Sequence, residues 1–260
     1  MPPTEIGETI RILFVGDIVG ATALRHVCET IAMLRNESFY DVCIANGENV
    51  SEGKGIVSRD ADELFNAGVH VITTGNHVWD KWQARHLLAE NERVLRPHNY
   101  PRNNPGSGVY VLSLLNGIKI GVVNIQGRTF MQQIDCPFRC MDNVLYDLQR
   151  ETPIILVDMH AEATAEKVAM GWYLDGKVSA VVGTHTHTPT ADARVHPCGT
   201  AYITDVGMSG PYEDSVVGLK KDIAIKRFLT QTPHKYEVSL GSARLCGALI
   251  TVKPLVPQER

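Results

Sequence analysis

The stretch IRILFVGDIVG, from Ile10 to Gly20, decides the architecture. Ile10 to Val15 is apolar apart from Arg11, too short for a helix and continuous enough for a strand buried in a sheet. Gly16 and Asp17 break the run. From Gly20 to Arg35 the apolar residues Leu24, Val27, Ile31 and Leu34 recur at a spacing near 3.6, which predicts a helix. A strand, a polar turn with glycine and a helix make one α/β unit, and the turn falls at the carboxyl end of the strand.

The same order recurs along the chain. Residues 42–45 read as a strand that ends in Gly47-Glu48-Asn49, followed by a helix over 58–67 with Ser58 as a cap and Gly68 as its stop. Residues 69–73 read as a strand that ends in Gly75-Asn76-His77, and 80–90 as a helix. Two later runs, 154–157 and 178–182, end in Asp158-Met159-His160 and in Gly183-Thr184-His185-Thr186-His187, with a helix over 163–174 between them. Residues 109–115 and 118–125, joined by Asn116-Gly117, predict a hairpin. Residues 141–151 read as a helix, 127–140 as irregular, and 235–252 as a second hairpin around Gly241. Residues 96–108 hold three prolines, two glycines and three asparagines, a long ordered loop or lid. Strands and helices alternate and hairpins enter later, which predicts a mixed α/β fold in layers.

The chain has 260 residues, 44% apolar and 21% charged, with a net charge of -4. That describes a globular protein with no broad basic surface, so duplex nucleic acid is not expected as a partner. No run approaches ~18 apolar residues, so neither a membrane span nor a membrane partner is expected, and residues 1–8 lack the features of a signal peptide. The six cysteines are scattered. Cys136 and Cys140 make a weak zinc pair without a second close pair, and all six read as reduced thiols of a cytoplasmic protein. No linker or repeat interrupts the chain, so a single domain over 1–260 is expected, with 1–9 a flexible extension. A homo-oligomer is compatible with the apolar residues of the tail.

Asp17, Glu48, Asn49, Asn76, His77, His160, His185 and His187 each follow an apolar run within a few residues. In open α/β sheets, ligand sites gather beyond the carboxyl ends of the strands. Most of these residues have an ordinary explanation alone: Asp17 as a helix cap, Glu48-Asn49 and Asn76 as turn residues, His77 and His160 as surface or packed histidines. The pair His185 and His187, two apart and flanked by threonines, points to a metal by itself. Jointly, donors at several independent strand ends are hard to explain by caps and turns. Imidazole, carboxylate and amide donors without a thiolate suit iron, manganese or zinc. Seven donors exceed one tetrahedral site, which predicts two ions about 3.5–4 Å apart, bridged by a carboxylate and a water-derived hydroxide. Arg128 and Phe130 are candidates for phosphate contact and base stacking. Tyr100, Pro101 and the loop to Gly108 are candidates for a pocket wall.

These motifs resemble the calcineurin-like metallophosphoesterases, with two departures. Asp17-Ile18-Val19 lacks the histidine of Asp-x-His, and Gly47-Glu48-Asn49 stands where Gly-Asp is expected. With those departures the sequence is similar to the YmdB-like family of bacterial cyclic-nucleotide phosphodiesterases. The likeness runs through residues 14–20, 45–49, 74–80, 96–101, 124–131, 160–164, 182–192 and 200–211. It implies a layered sandwich of two mixed β-sheets flanked by helices, with the metal site at the carboxyl ends of the strands. Asp17, Glu48, Asn49 and His187 would hold one ion, and Glu48, Asn76, His160 and His185 the other, with Glu48 bridging. Iron or manganese is favoured over zinc. His77 would be the general acid in hydrolysis of a small cyclic nucleotide, most plainly a 2',3'-cyclic one, by the bridging hydroxide. Ala21-Thr22-Ala23 departs from the family's glycine- and arginine-containing turn, which puts substrate contacts there in question. Charge supports an anionic diester: four positive charges, less Asp17, Glu48 and a hydroxide, leave about one. The same centre would serve a phosphomonoesterase or a phosphoprotein phosphatase, and a regulatory nucleotide-binding protein is the third reading.

Overall fold

The computed structural model describes residues 9–253, so the extension expected at 1–9 lies outside the described residues except for Thr9. The chain begins β1 (Ile10–Val15), α1 (Gly20–Asn36), β2 (Val42–Asn46), α2 (Ser58–Ala67), β3 (Val71–Thr73), α3 (Ala84–Glu90). It continues β4 (Val109–Ser113), β5 (Lys119–Gln126), α4 (Pro137–Glu151), β6 (Ile155–His160), α5 (Thr164–Tyr173), β7 (Ala180–Thr184). Shorter pieces follow: β8 (Arg194–Val195), β9 (Ala201–Ile203), β10 (Gly210–Pro211), β11 (Ser215–Val216) and β12 (Leu219–Lys220). The chain closes with α6 (Lys221–Thr230), β13 (Ala243–Arg244) and β14 (Gly247–Val252).

Two mixed sheets result. In the first, ordered β14-β1-β2-β3, the three early strands are parallel and β14 runs against β1. In the second, ordered β4-β5-β6-β7-β9-β8, a parallel centre carries an antiparallel strand at each edge.

The period-2 alternation of strand side chains sorts the core into layers. Ile10, Ile12 and Phe14 meet Val42 and Ile44, and they share a core with Ile120, Val122, Leu156 and Val182 of the second sheet. Leu13, Val15, Cys43 and Ala45 face the other way, onto Leu24, Val27 and Ile31 of α1 and Leu64 of α2. Val123, Ile125, Val157 and Val181 pack on Met141, Leu145 and Leu148 of α4 and Met170 of α5. Helices, sheet, sheet and helices make the sandwich that the sequence predicts.

Between the sheets the alternation keeps its period but changes its chemistry. Ile44 is followed by Asn46, Val71 by Thr73, Val122 by Asn124 and Gln126, Leu156 by Asp158 and His160, Val182 by Thr184. All these polar residues are buried. The apolar core thus gives way to a polar chamber at the carboxyl ends of both sheets.

Several boundaries differ from the sequence reading, each for a physical reason. The helix expected from residue 80 starts at Ala84, because Asp80 folds back on His77 in the preceding turns. α4 starts at Pro137, whose fixed φ suits a first helical position, so the irregular stretch is shorter than expected. The hairpin expected around Gly241 does not form: β13 pairs with β10, and β14 instead covers the edge of β1 over six residue pairs. α6 is not legible in the sequence, since Ala224 is its one buried residue and Ile225, Phe228 and Leu229 face solvent. Among the described residues no helix is long and apolar enough to cross a membrane. All six cysteines are unpaired.

Candidate metal centre

The turns after the parallel strands bring their donors together. The first sheet supplies Asp17 after β1, Glu48 and Asn49 after β2, and Asn76 after β3. The second supplies His160 at the end of β6, and His185 and His187 after β7. His160 Nε2 lies 3.2 Å from Glu48 Oε1, 3.0 Å from Asn76 Oδ1 and 3.1 Å from His185 Nδ1. The Asn49 amide lies 2.9 Å from Glu48 Oε1 and 3.2 Å from His187 Nε2, and His187 Nε2 is 3.8 Å from Asp17 Oδ1. Glu48 therefore touches both groups. A half-turn of the Asn49 amide exchanges its nitrogen for the oxygen a cation requires.

Each imidazole has its outer nitrogen committed. Thr184 Oγ1 donates to Asp158 Oδ1 at 2.6 Å, so it accepts from His160 Nδ1–H at 2.9 Å. His185 Nε2–H donates to Glu162 at 3.0 Å, and His187 Nδ1–H to the carbonyl of Val217 at 2.9 Å. The inner nitrogens are thereby left as lone pairs, the arrangement that outer partners impose on metal-ligating histidines. Asp158 is itself anchored from the opposite sheet by Thr73 Oγ1 at 2.5 Å and the Asn46 amide at 3.0 Å. His185 and His187 both adopt left-handed backbone, φ +99° and +64°. Such strain in residues with a Cβ persists where the surroundings dictate it, and it clusters at functional sites.

The electrostatics favour a positive charge at the centre of this chamber. Burial disfavours charge on His160, yet the Glu48 and Asp17 carboxylates push its pKa up to about 9. Burial also works against ionised Glu48, but His160 holds it below the usual carboxylate range. Burial, aided by the charge of His160, drives His185 down to about 3. Asp158 is pushed up to about 6 by burial, against the pull of His160 and its hydroxyl donors.

The residues fit a metal. Lone pairs on His160 Nε2 and His185 Nδ1 at 3.1 Å repel unless a proton or a cation lies between them. Asp17 Oδ1 is buried and has no hydrogen-bond partner among the described residues. Among those residues, Glu48, His160 and His185 are the group of acidic, histidine or cysteine side chains that converges closely enough for an ion. Cys136 and Cys140 are not in it.

His77 sits at the rim. Its N–H donates to Glu48 Oε2 at 3.1 Å, and its Nδ1 is 3.0 Å from Asp80 Oδ2. It lines a cleft of about 350 Å³ that opens on Glu48, Asn49, His185 and His187 and is flanked by Lys54, Val217, Leu219 and Tyr236. A larger cavity, about 600 Å³, is lined by Arg96, Tyr100, Arg102 and Arg139 and contains none of the donors, so the chemistry selects the smaller cleft. Tyr100, expected in a wall of the site, is buried edge-on against Trp79 at 5.7 Å and lines that other cavity. Arg128 and Phe130 come beside the cleft rather than into it. The Glu166 carboxylate accepts the N–H groups of Arg128 and Thr129, and Met131 Sδ touches the N–H of Glu162 at 3.3 Å. The sequence alone does not single out Glu162, Asp80, Thr184 or the Val217 carbonyl as orienting groups. The nearest signal is spacing, Glu162 two residues after His160 and Asp80 three after His77.

Comparison with known proteins shows what the chain is similar to. A protein of Bacillus subtilis (strain 168) named 2',3'-cyclic-nucleotide 2'-phosphodiesterase is 44% identical over 243 residues, spanning 94% of this chain and 91% of that one. A solved structure described as a hypothetical protein from Thermus thermophilus matches with a TM-score of 0.86 at 41% identity, covering 94% of this chain and 98% of its own. Another, described as a novel phosphatase from Mycoplasma pneumoniae, has a TM-score of 0.88 at 33% identity, covering 95% and 89%. The family model described as YmdB-like protein matches residues 13–257. The chain belongs to the YmdB-like protein family.

Proposed function

We propose that the protein is a metal-dependent phosphodiesterase that hydrolyses 2',3'-cyclic nucleotides in the cytoplasm, within a single metallophosphoesterase domain. The observation that carries this reading is the convergence of seven donors from both sheets, with every outer imidazole nitrogen already committed. Asp17, Glu48, Asn49 and His187 would hold one cation, and Glu48, Asn76, His160 and His185 a second; the donors accept iron, manganese or zinc, and the family resemblance favours iron or manganese. When bound, the cations supply Lewis acidity, which activates water and screens charge at phosphorus.

The chain's own residues do the rest. Asp80 takes the Nδ1 side of His77, so Nε2 is the nitrogen that gives a proton to the leaving oxygen. Lys54 places a positive charge at the cleft for the phosphoryl oxygens, and Val217, Leu219 and Tyr236 give the nucleoside an apolar wall. Phe130 is 88% exposed and left-handed, and its neighbour Met131 touches Glu162 at the cleft, which suits an aromatic that closes over a base, with Arg128 two residues before it for phosphate. A phosphomonoesterase is the second reading, favoured by relatives in two Mycoplasma species named putative phosphatase/phosphodiesterase.

Hydrolysis of a 2',3'-cyclic nucleotide with added manganese or iron tests the proposal against a panel of phosphomonoesters. Chelator should abolish activity. His77→Ala should lower kcat by about 10²–10⁴ with metal retained, and Glu48→Gln should lower metal content. Equal rates for wild type and His77→Ala would remove the acid assignment. Two ions retained in Glu48→Gln would remove the bridge.

A further inference from the structure

Beneath the donor turn lies an ion pair that no ligand role uses. Lys167 of α5 and Asp205, in the loop after β9, are both fully buried, with Nζ 2.6 Å from Oδ2. Burying two charges is costly, and an apolar pair of similar volume often serves a core as well or better. The pair is explained by what else the carboxylate holds. Oδ2 also accepts the N–H of Thr186 at 3.1 Å and its hydroxyl at 2.8 Å, and Oδ1 accepts the N–H of Gly207 at 2.8 Å.

Thr186 is the residue between the two left-handed histidines. Pinned from below, it leaves His185 facing Glu48 and His160 while His187 faces Asp17 and Asn49. Gly183 makes room for the arrangement. A Cβ there would overlap the Thr204 carbonyl and crowd Lys167 Cδ at 3.1 Å. Charge explains the choice of lysine. Asp17, Glu48 and Asp158 already crowd this region, and the ammonium lets Asp205 hold the turn without adding a fourth net negative charge.

We infer that Lys167 and Asp205 are positioning residues, an ionic clamp that sets the His185-Thr186-His187 turn so that its two imidazoles reach two different donor groups. The inference rests on the reading of those donors as metal ligands.

The test compares wild type with Lys167→Met, Asp205→Asn and the milder Thr186→Val, each stripped of metal and titrated with Mn²⁺ by calorimetry below its Tm. Both clamp variants should bind Mn²⁺ about 10- to 100-fold more weakly, Thr186→Val less so, and excess Mn²⁺ should restore their phosphodiester hydrolysis. Leu148→Ala, in the α4 core, should lower Tm without moving Mn²⁺ affinity. Hydrogen exchange at the Thr186 amide, which Asp205 accepts, should rise at least about tenfold in the clamp variants of the metal-free protein. Wild-type affinity in the clamp variants, or a loss in Leu148→Ala that tracks Tm in the same way, overturns the clamp. If wild type itself binds no Mn²⁺, the metal reading fails, and the exchange rates alone decide the clamp: unchanged protection overturns it.

Discussion

Gly75 shows how little room the donors leave one another. A Cβ at this position would overlap both His160 Nε2 and Glu48 Oε2, so the turn after β3 passes against the centre only because its residue has no side chain. Gly75→Ala must push two donors apart by about an ångström, and displacements of that size cost about a hundredfold in rate. The expected outcome is a folded protein with near-native circular dichroism, lowered metal content by elemental analysis and about a hundredfold lower kcat/KM; native metal content would contradict it. At this scale the donors are legible in the sequence because each stands where a recognisable apolar run stops. Their supports are not. Thr184, Glu162 and the Val217 carbonyl act through contacts across 24, 23 and 30 residues of chain, and nothing in local pattern announces such a contact.

The seam between β2 and β3 holds an imidazole in a role that depends on its neutrality. His70 Nδ1 accepts the N–H of Cys43 at 3.1 Å, which a protonated nitrogen cannot do. Burial, aided by the charge of Arg35, holds the His70 pKa below the ordinary histidine value. The unfolded chain then takes up a proton near pH ~6.5 that the folded chain refuses until lower pH. Stability is full above that value, falls as pH drops through it, and levels off below the folded pKa. His70→Asn keeps an acceptor near the place of Nδ1 and does not titrate, so its urea midpoint should fall less than that of wild type between pH 7.5 and 5.5. Equal pH slopes would show that His70 contributes nothing to the dependence. The larger elements are legible because they repeat a period over many residues. The Asn116-Gly117 hairpin announces itself, with Gly117 at φ +81°. The short strands β8 to β13 carry two or three residues each, too few for any period to register. β14 reads as half of a local hairpin because nothing in its own alternation says that its partner is β1, near the other end of the chain.

In the whole molecule the two sheets share an apolar core at one end and the polar chamber at the other. Asp17, Glu48, Asn49 and Asn76 come from one sheet, and His160, His185 and His187 from the other. Asp17, Glu48 and Asp158, all buried, crowd the junction with negative charge. Cations bound there, as proposed, would staple the sheets and offset that repulsion, so metal removal should be felt as a loss of stability and not only of activity. A ligand present at a hundred times its Kd stabilises the native state by about 2.7 kcal/mol per site. For a chain of this size that corresponds to roughly 5–10 °C in Tm per ion. Chelation should therefore lower Tm by about that much for each ion lost, and added Mn²⁺ should restore it. Hydrogen exchange should rise at residues 46–49, 73–77, 158–160 and 184–187 on both sides of the junction. Strand β4 and α4, whose contacts lie outside the chamber, should keep their protection. A Tm and an exchange pattern indifferent to chelator would mean that the apolar core alone holds the sheets together and that these seven donors bind no metal at all.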